Sequence, residues 1–252
     1  MTATRGADAS RRRPRGRGAL IALAALLSFA FAGLCALGIW QVQRLHWKRD
    51  LIERVEARAH AEPVAAPGPE RWSEVSAQRD EYRHVRLDGH FLPGHDTRVQ
   101  ALTRLGPGFW ILSPFQTGGG AIVLVNRGFA PNDWPGDDLS DAPAQVTGLL
   151  RMSEPKGAFL RRNDPAAQRW YSRDAQAIAG AQGLGRVAPY FIDAEDIPGA
   201  ETSGWPRAGL TVTQFSNNHL SYALTWFALA LMVAGAGGYL AREESRSRAG
   251  LR

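Results

Sequence analysis

Residues 19–39 (A-L-I-A-L-A-A-L-L-S-F-A-F-A-G-L-C-A-L-G-I) and 220–240 (L-S-Y-A-L-T-W-F-A-L-A-L-M-V-A-G-A-G-G-Y-L) carry no charged side chain over 21 positions each. A helix of about 20 apolar residues spans the hydrocarbon core of a bilayer, so both stretches predict transmembrane helices. Trp40 closes the first, and Tyr222, Trp226 and Tyr239 lie near the ends of the second, where aromatic rings favour the headgroup region. After Trp40 the period stays helical: Val42, Leu45, Ile52, Val55 and Ala59 predict an amphipathic helix over 41–60. Glu62-Pro63 and the run A-A-P-G-P stop it. Short strand-like runs follow at Tyr82–Leu87, Arg98–Thr103, Phe109–Phe115, Ala121–Arg127, Gln145–Arg151, Val187–Ile192 and Leu210–Phe215. Thr117–Gly120 reads as a hairpin loop, Asn126-Arg127-Gly128 as a tight turn ending a strand, and Asp174–Ala181 as a short helix capped by Asp174. Arg127 is open to two readings, a partner contact or a structural ion pair. The fold class is a membrane protein of α+β type. Two transmembrane helices, N- and C-terminal, flank a mainly antiparallel β domain, either an open sheet or a partly closed barrel.

Charge changes the picture by its location. The formal net charge is +6. Ten arginines and three acidic residues lie in residues 1–18 and 241–252, against twenty basic and twenty-one acidic residues between them. Basic tails beside apolar spans point to membrane topology rather than to a nucleic-acid surface. Six further basic residues flank the inner ends of the spans: Arg44, Lys48, Arg49, Arg54, Arg58 and Arg207. The ten-to-six split places both tails (1–18 and 241–252) in the cytoplasm and residues 40–219 outside, in a bacterium the periplasm. A cleaved leader is the alternative for the first span, with Ala30-Phe31-Ala32 as the cleavage site. The apolar run continues past it to an interfacial tryptophan, which favours a retained anchor. The single cysteine, Cys35, lies within that span and permits neither an internal disulfide nor a two-thiolate copper site.

Catalytic signatures are absent. There is no G-x-S-x-G, H-E-x-x-H, phosphate loop or C-x-x-C. Asp137-Asp138 and the group Asp193, Glu195 and Asp196 lie in Pro/Gly-rich stretches and read as solvated loop carboxylates. His84, His90 and His95 read as ordinary strand and loop histidines rather than as a metal site. The expectation is a protein that is not an enzyme.

The flanks of the two spans then carry a recognisable pattern. L-G-I-W-Q-V-Q-R-L-H-W-K-R-D-L-I (Leu37–Ile52) and N-N-H-L-S-Y-A-L-T-W-F (Asn217–Phe227) closely resemble the two ends of the Surf1/Shy1 family. Y-R-H-V-R-L-D-G-H-F (Tyr82–Phe91), G-P-G-F-W-I-L-S-P-F (Gly106–Phe115) and V-L-V-N-R-G-F-A-P (Val123–Pro131) resemble its middle, and P-Y-F-I-D-A (Pro189–Ala194) more loosely. The resemblance implies an assembly factor for haem–copper cytochrome c oxidase. It would be a chaperone of the bacterial inner membrane that binds haem a non-covalently and assists its insertion into subunit I. Its implied partners are subunit I, haem a synthase and membrane lipid, with no nucleic acid. A scaffold that holds a subunit I intermediate without touching haem is the alternative. By resemblance the iron ligand is His219. Tyr222 and Trp226 fall on its helix face at i+3 and i+7, and Trp40, Arg44 and Trp47 share one face of the other span at i, i+4 and i+7. The tryptophans would cover the macrocycle and Arg44 would face a propionate. No C-x-x-C-H exists for covalent attachment.

Overall fold

The computed structural model describes residues 16–155, 157, 160–196, 204–211 and 217–249. The chain divides into two compact units, one of residues 1–51 and 216–252, the other of residues 52–215.

The first unit is helical. Helix α1 (Arg17–Ala59) runs without a break through the apolar segment and the amphipathic one, and its last two turns belong to the second unit. At the other end of the chain the final helix (His219–Ala249) begins at the histidine itself. Both are long and apolar enough to cross a membrane. They pack antiparallel: Gln41 meets His219, Gly38 faces Phe227, and Leu27 lies beside Gly237. On the part of α1 within this unit the buried positions are Gly38, Gln41 and Leu45, at i, i+3 and i+7. The partner helix buries Ala223 and Ala230. Small residues at such a seam let two backbones approach where lipid supplies no hydrophobic drive. A Cβ at Gly38 would stand 2.6 Å from Phe227 Cε1, so a larger residue requires that ring to move. Phe29, Leu231 and Tyr239 turn outward, as suits a helix pair solvated by lipid.

The second unit is a barrel. Its elements are β1 (Val64–Ala65), a 3₁₀ turn (Trp72–Glu74), α2 (Ala77–Asp80), β2 (His84–Phe91), β3 (Thr97–Thr103), β4 (Gly106–Thr117), β5 (Ile122–Pro131), β6 (Ala144–Met152), α3 (Ala175–Ala181) and β7 (Val187–Asp196); the C-terminal helix is α4. Strands run in the order β1-β2-β6-β7-β5-β4-β3, and a further pairing of β2 with β4 closes five of them into a ring. All pairs in the ring are antiparallel except β5–β7, which is parallel. Closure rests on Gly89–Phe91 pairing with Phe115–Thr117. A Cβ at Gly89 would collide with the carbonyl of Gln116 and crowd Phe115, so only glycine lets the two strands meet there.

Two layers of side chains follow from the period-two geometry of strands. The barrel interior is filled by Val85, Leu87, Phe91, Phe115, Val123, Val125, Val146, Leu150, Ala188, Tyr190 and Ile192. Phe91 and Phe115 meet edge to face at 5.0 Å beside the closure. On the outer face, Val99, Leu112, Leu124 and Phe191 pack under Trp170 and the Ala175, Ile178 and Ala179 face of α3. Strand β5 is therefore buried on both sides, which explains the apolar run Ile122–Val125 at its start. Tyr190 is fully buried, and its hydroxyl donates to the Pro67 carbonyl at 2.7 Å. Burial pushes that hydroxyl above the ordinary tyrosine range.

The barrel is closed, where the sequence left open sheet and partial barrel undecided. The Thr117–Gly120 loop is a hairpin, with Gly120 N–H donating to the Thr117 carbonyl at 2.8 Å. Asp174 caps α3 through Ala177 N–H. Asn126-Arg127-Gly128 is a correction: β5 does not end there. Gly128, at φ 121°, absorbs a bulge opposite Trp110 and Leu112, and the strand runs on to Pro131. Strand β7 likewise runs past Ile192 through Asp196. The segment after Pro63, where the sequence only stops a helix, contributes β1 in parallel with Val85–Arg86. Of the expected strand Leu210–Phe215, residues 212–215 lie outside the described residues, and Leu210 and Thr211 carry no strand pairing.

Candidate functional site

The first residue of α4 is the focus of the helical unit. The backbone N–H of His219 reaches the Asn217 side-chain oxygen at 3.4 Å. The ring is half-buried, and its Nδ1 lies 2.7 Å from Oε1 of Gln41. Gln41 is itself 8% exposed. It sits one residue past Trp40, on the face of α1 turned to α4. Among the described residues no hydrogen bond engages the other ring nitrogen, Nε2.

The remaining span-edge residues surround this pair differently. Trp40, Trp47 and Tyr222 present about half of their surfaces outward. Trp226 is half-buried. Arg44 stacks on Trp47 of its own helix, with Cζ 4.8 Å from the ring centroid. The structure thus joins His219 to α1 through Gln41, a residue the sequence reading passed over. A signal for it existed, since a glutamine on the apolar side of a helix needs a buried polar partner.

The donor set fits one kind of metal group. Among the described residues no three His, Cys, Asp or Glu side chains gather to hold a bare ion. A single imidazole with one ring nitrogen left open among the described residues would suit a metal that arrives in its own macrocycle. His219 would hold it, Trp40, Trp47, Tyr222 and Trp226 could border it, and Arg44 would supply positive charge.

A second polar cluster lies in the barrel. Asp193 on β7 is 3% exposed. It accepts from Asn126 (2.7 Å), Arg151 (2.8 Å), Arg173 (3.1 Å) and Thr211 (2.9 Å). Arg151 also binds Glu81, and Arg173 also binds Glu154. Burial by itself would raise Glu154, but the hydrogen bonds and charge of Arg173 outweigh it and hold the carboxyl below its ordinary range. Asp193, Asn126, Arg151, Arg173 and Thr211 line a cleft of about 230 Å³ with Tyr82 and Trp110. Three carboxylates face two guanidiniums, so the cluster satisfies itself and has no surplus positive charge to attract an anion.

This corrects the reading of Asp193, while Asp138 and Glu195 are exposed as the sequence implies. Asp193 is a buried hub, and Asp137 pairs with Arg127, which is 3% exposed and also binds Asp96. Of Arg127's two readings, the structure takes the structural ion pair. His84 sets Nδ1 against the Ala61 carbonyl at 2.6 Å and Nε2 3.1 Å from Glu195. His90 is half-buried in β2, and His95 is exposed before β3.

A model of the SURF1 family matches residues 28–231 of this chain. Surfeit locus protein 1 of Rattus norvegicus is 31% identical over 224 residues, covering 81% of this chain and 70% of that protein. The Homo sapiens protein of the same name is 31% identical over 219 residues, covering 77% and 69%. A SURF1-like protein of Caenorhabditis briggsae is 30% identical over 241 residues, covering 84% and 72%.

Proposed function

The chain belongs to the SURF1 family, and from that membership we propose that it is a membrane-anchored, non-enzymatic assembly factor for haem–copper cytochrome c oxidase. In this reading it binds haem a non-covalently and assists its insertion into subunit I. Subunit I is the receiving partner, haem a synthase the supplier, and the surrounding lipid the medium. The protein resides in a bacterial inner membrane with both tails cytoplasmic, so His219 faces the outer surface.

The observation that carries this is the arrangement at the head of α4. An imidazole stands at the edge of an apolar span, held through one nitrogen and free at the other among the described residues. Haem, when bound, would supply an iron that a neutral imidazole can ligate. The chain's own residues do the rest: His219 offers a lone pair, Gln41 fixes the ring, the exposed indoles offer flat apolar surface, and Arg44 offers charge near water. A non-covalent hold is what a transferable cofactor requires.

The test is an absorption spectrum of protein purified from cells that make haem a. His219→Ala should lose the bound pigment while the protein still inserts, because alanine is a good helix former. Variants His84→Ala, His90→Ala and His95→Ala should keep it. Arg44→Ala should weaken retention less, since a contact near water is screened. A full spectrum in His219→Ala would rule out ligation by this residue. A colourless wild-type protein in haem a-replete cells would favour the haem-free scaffold instead.

A further inference from the structure

We infer that Gln41 is a positioning residue that selects the tautomer of His219 and so decides which ring nitrogen carries the lone pair. A neutral imidazole has one N–H and one lone pair, whereas an amide oxygen only accepts. Contact of Nδ1 with Oε1 of Gln41 at 2.7 Å therefore requires the proton on Nδ1. The lone pair is then on Nε2, the nitrogen that no other described residue engages.

The surroundings hold this arrangement in place. Gln41 is buried in the seam, flanked along its face by Gly38 and Leu45. Gly38 leaves room for the Phe227 ring of α4 one turn along the same face. In so dry a seam an unpaired amide is costly, which keeps Gln41 on the ring. Histidines that ligate metals commonly donate their second N–H to a fixed acceptor, and removing that acceptor weakens the metal about 10–100-fold. Gln41 stands where such an acceptor must stand. That a haem iron is the metal rests on the proposed function; the tautomer does not.

The experiment has two arms. In the first, haem-free protein is labelled with ¹⁵N-histidine and reconstituted in lipid nanodiscs. The His219 resonances are identified by their absence in His219→Ala. Wild type and Gln41→Glu should carry the proton on Nδ1, since a carboxylate also accepts; Gln41→Leu should lose that preference. In the second arm, haem a is titrated into each protein. Gln41→Leu should bind about 10–100-fold more weakly, and Gln41→Glu should stay within a few-fold of wild type, with equal helical content and membrane insertion in all three. A wild-type ring protonated on Nε2 overturns the inference without any variant, because Gln41 would then be donating its N–H₂. So does a Gln41→Leu protein with wild-type haem affinity. Wild-type protein that carries the proton on Nδ1 yet takes up no haem a overturns the proposed function and leaves the tautomer assignment standing.

Discussion

Gly128 shows how one residue can be required for two independent reasons. Its φ of 121° is a conformation that side chains rarely adopt, and a Cβ there would collide with the backbone carbonyl of Arg207. That carbonyl is close because Phe129 and Arg207 exchange two backbone hydrogen bonds, at 2.9 and 2.8 Å. Gly128→Ala should therefore destabilise the protein by about 2 kcal/mol or more, read as a shift in the unfolding midpoint of detergent-solubilised protein. An unchanged midpoint would refute the close approach. Asp193 is the opposite case, a residue required for its charge. Asp193→Ala leaves Arg151 and Arg173 short of a buried counter-ion, and breaking such a pair costs about 3–5 kcal/mol. Asp138→Ala, on the exposed loop, should stay within about 0.5 kcal/mol of wild type. Equal melting behaviour of the two variants would show that the hub does not matter to stability.

Elements pack here by two different rules. The barrel excludes water, so its interior follows hydrophobic burial and alternation along each strand. The helix pair sits where lipid competes on equal terms with protein, so it relies on close approach and one interhelical hydrogen bond. Gly38 tests the second rule. Gly38→Ala overpacks the seam against Phe227 and should cost about 1–3 kcal/mol. In a Phe227→Ala background the same change should cost little, because the ring it strikes is gone. A double-mutant cycle of denaturant unfolding measures that coupling, and additive effects would mean the two residues do not meet in the folded protein.

At the scale of the whole molecule, the proposed orientation rests on charge rather than on packing. Ten basic residues in the two tails outnumber the six at the inner span ends, and basic flanks stay in the cytoplasm. A phosphatase fused after residue 140 should be active, and one fused after residue 245 inactive. The reverse pattern would invert the orientation and place His219 on the wrong side for a periplasmic-face function.

The sequence alone determined what depends on composition and local period. An uncharged run must find lipid or a core, so the two spans were legible at once. Alternation and turn residues marked six of the seven strands, and Asp174 announced its own helix cap. Span-edge motifs carried the family, which placed interest on His219. What only tertiary structure decided depends on residues distant in the chain. The β2–β4 closure joins Gly89 to Thr117; glycine is a poor strand former, and Thr117 reads as the start of a glycine loop. Asp193 reads as a loop carboxylate until Arg151, Arg173 and Asn126 arrive from other elements to neutralise it. Gln41 and His219 lie 178 residues apart. Local sequence cannot report their meeting, because a hydrogen bond's energy depends on where its partner is, and only the packed seam of the two helices brings acceptor and ring to 2.7 Å.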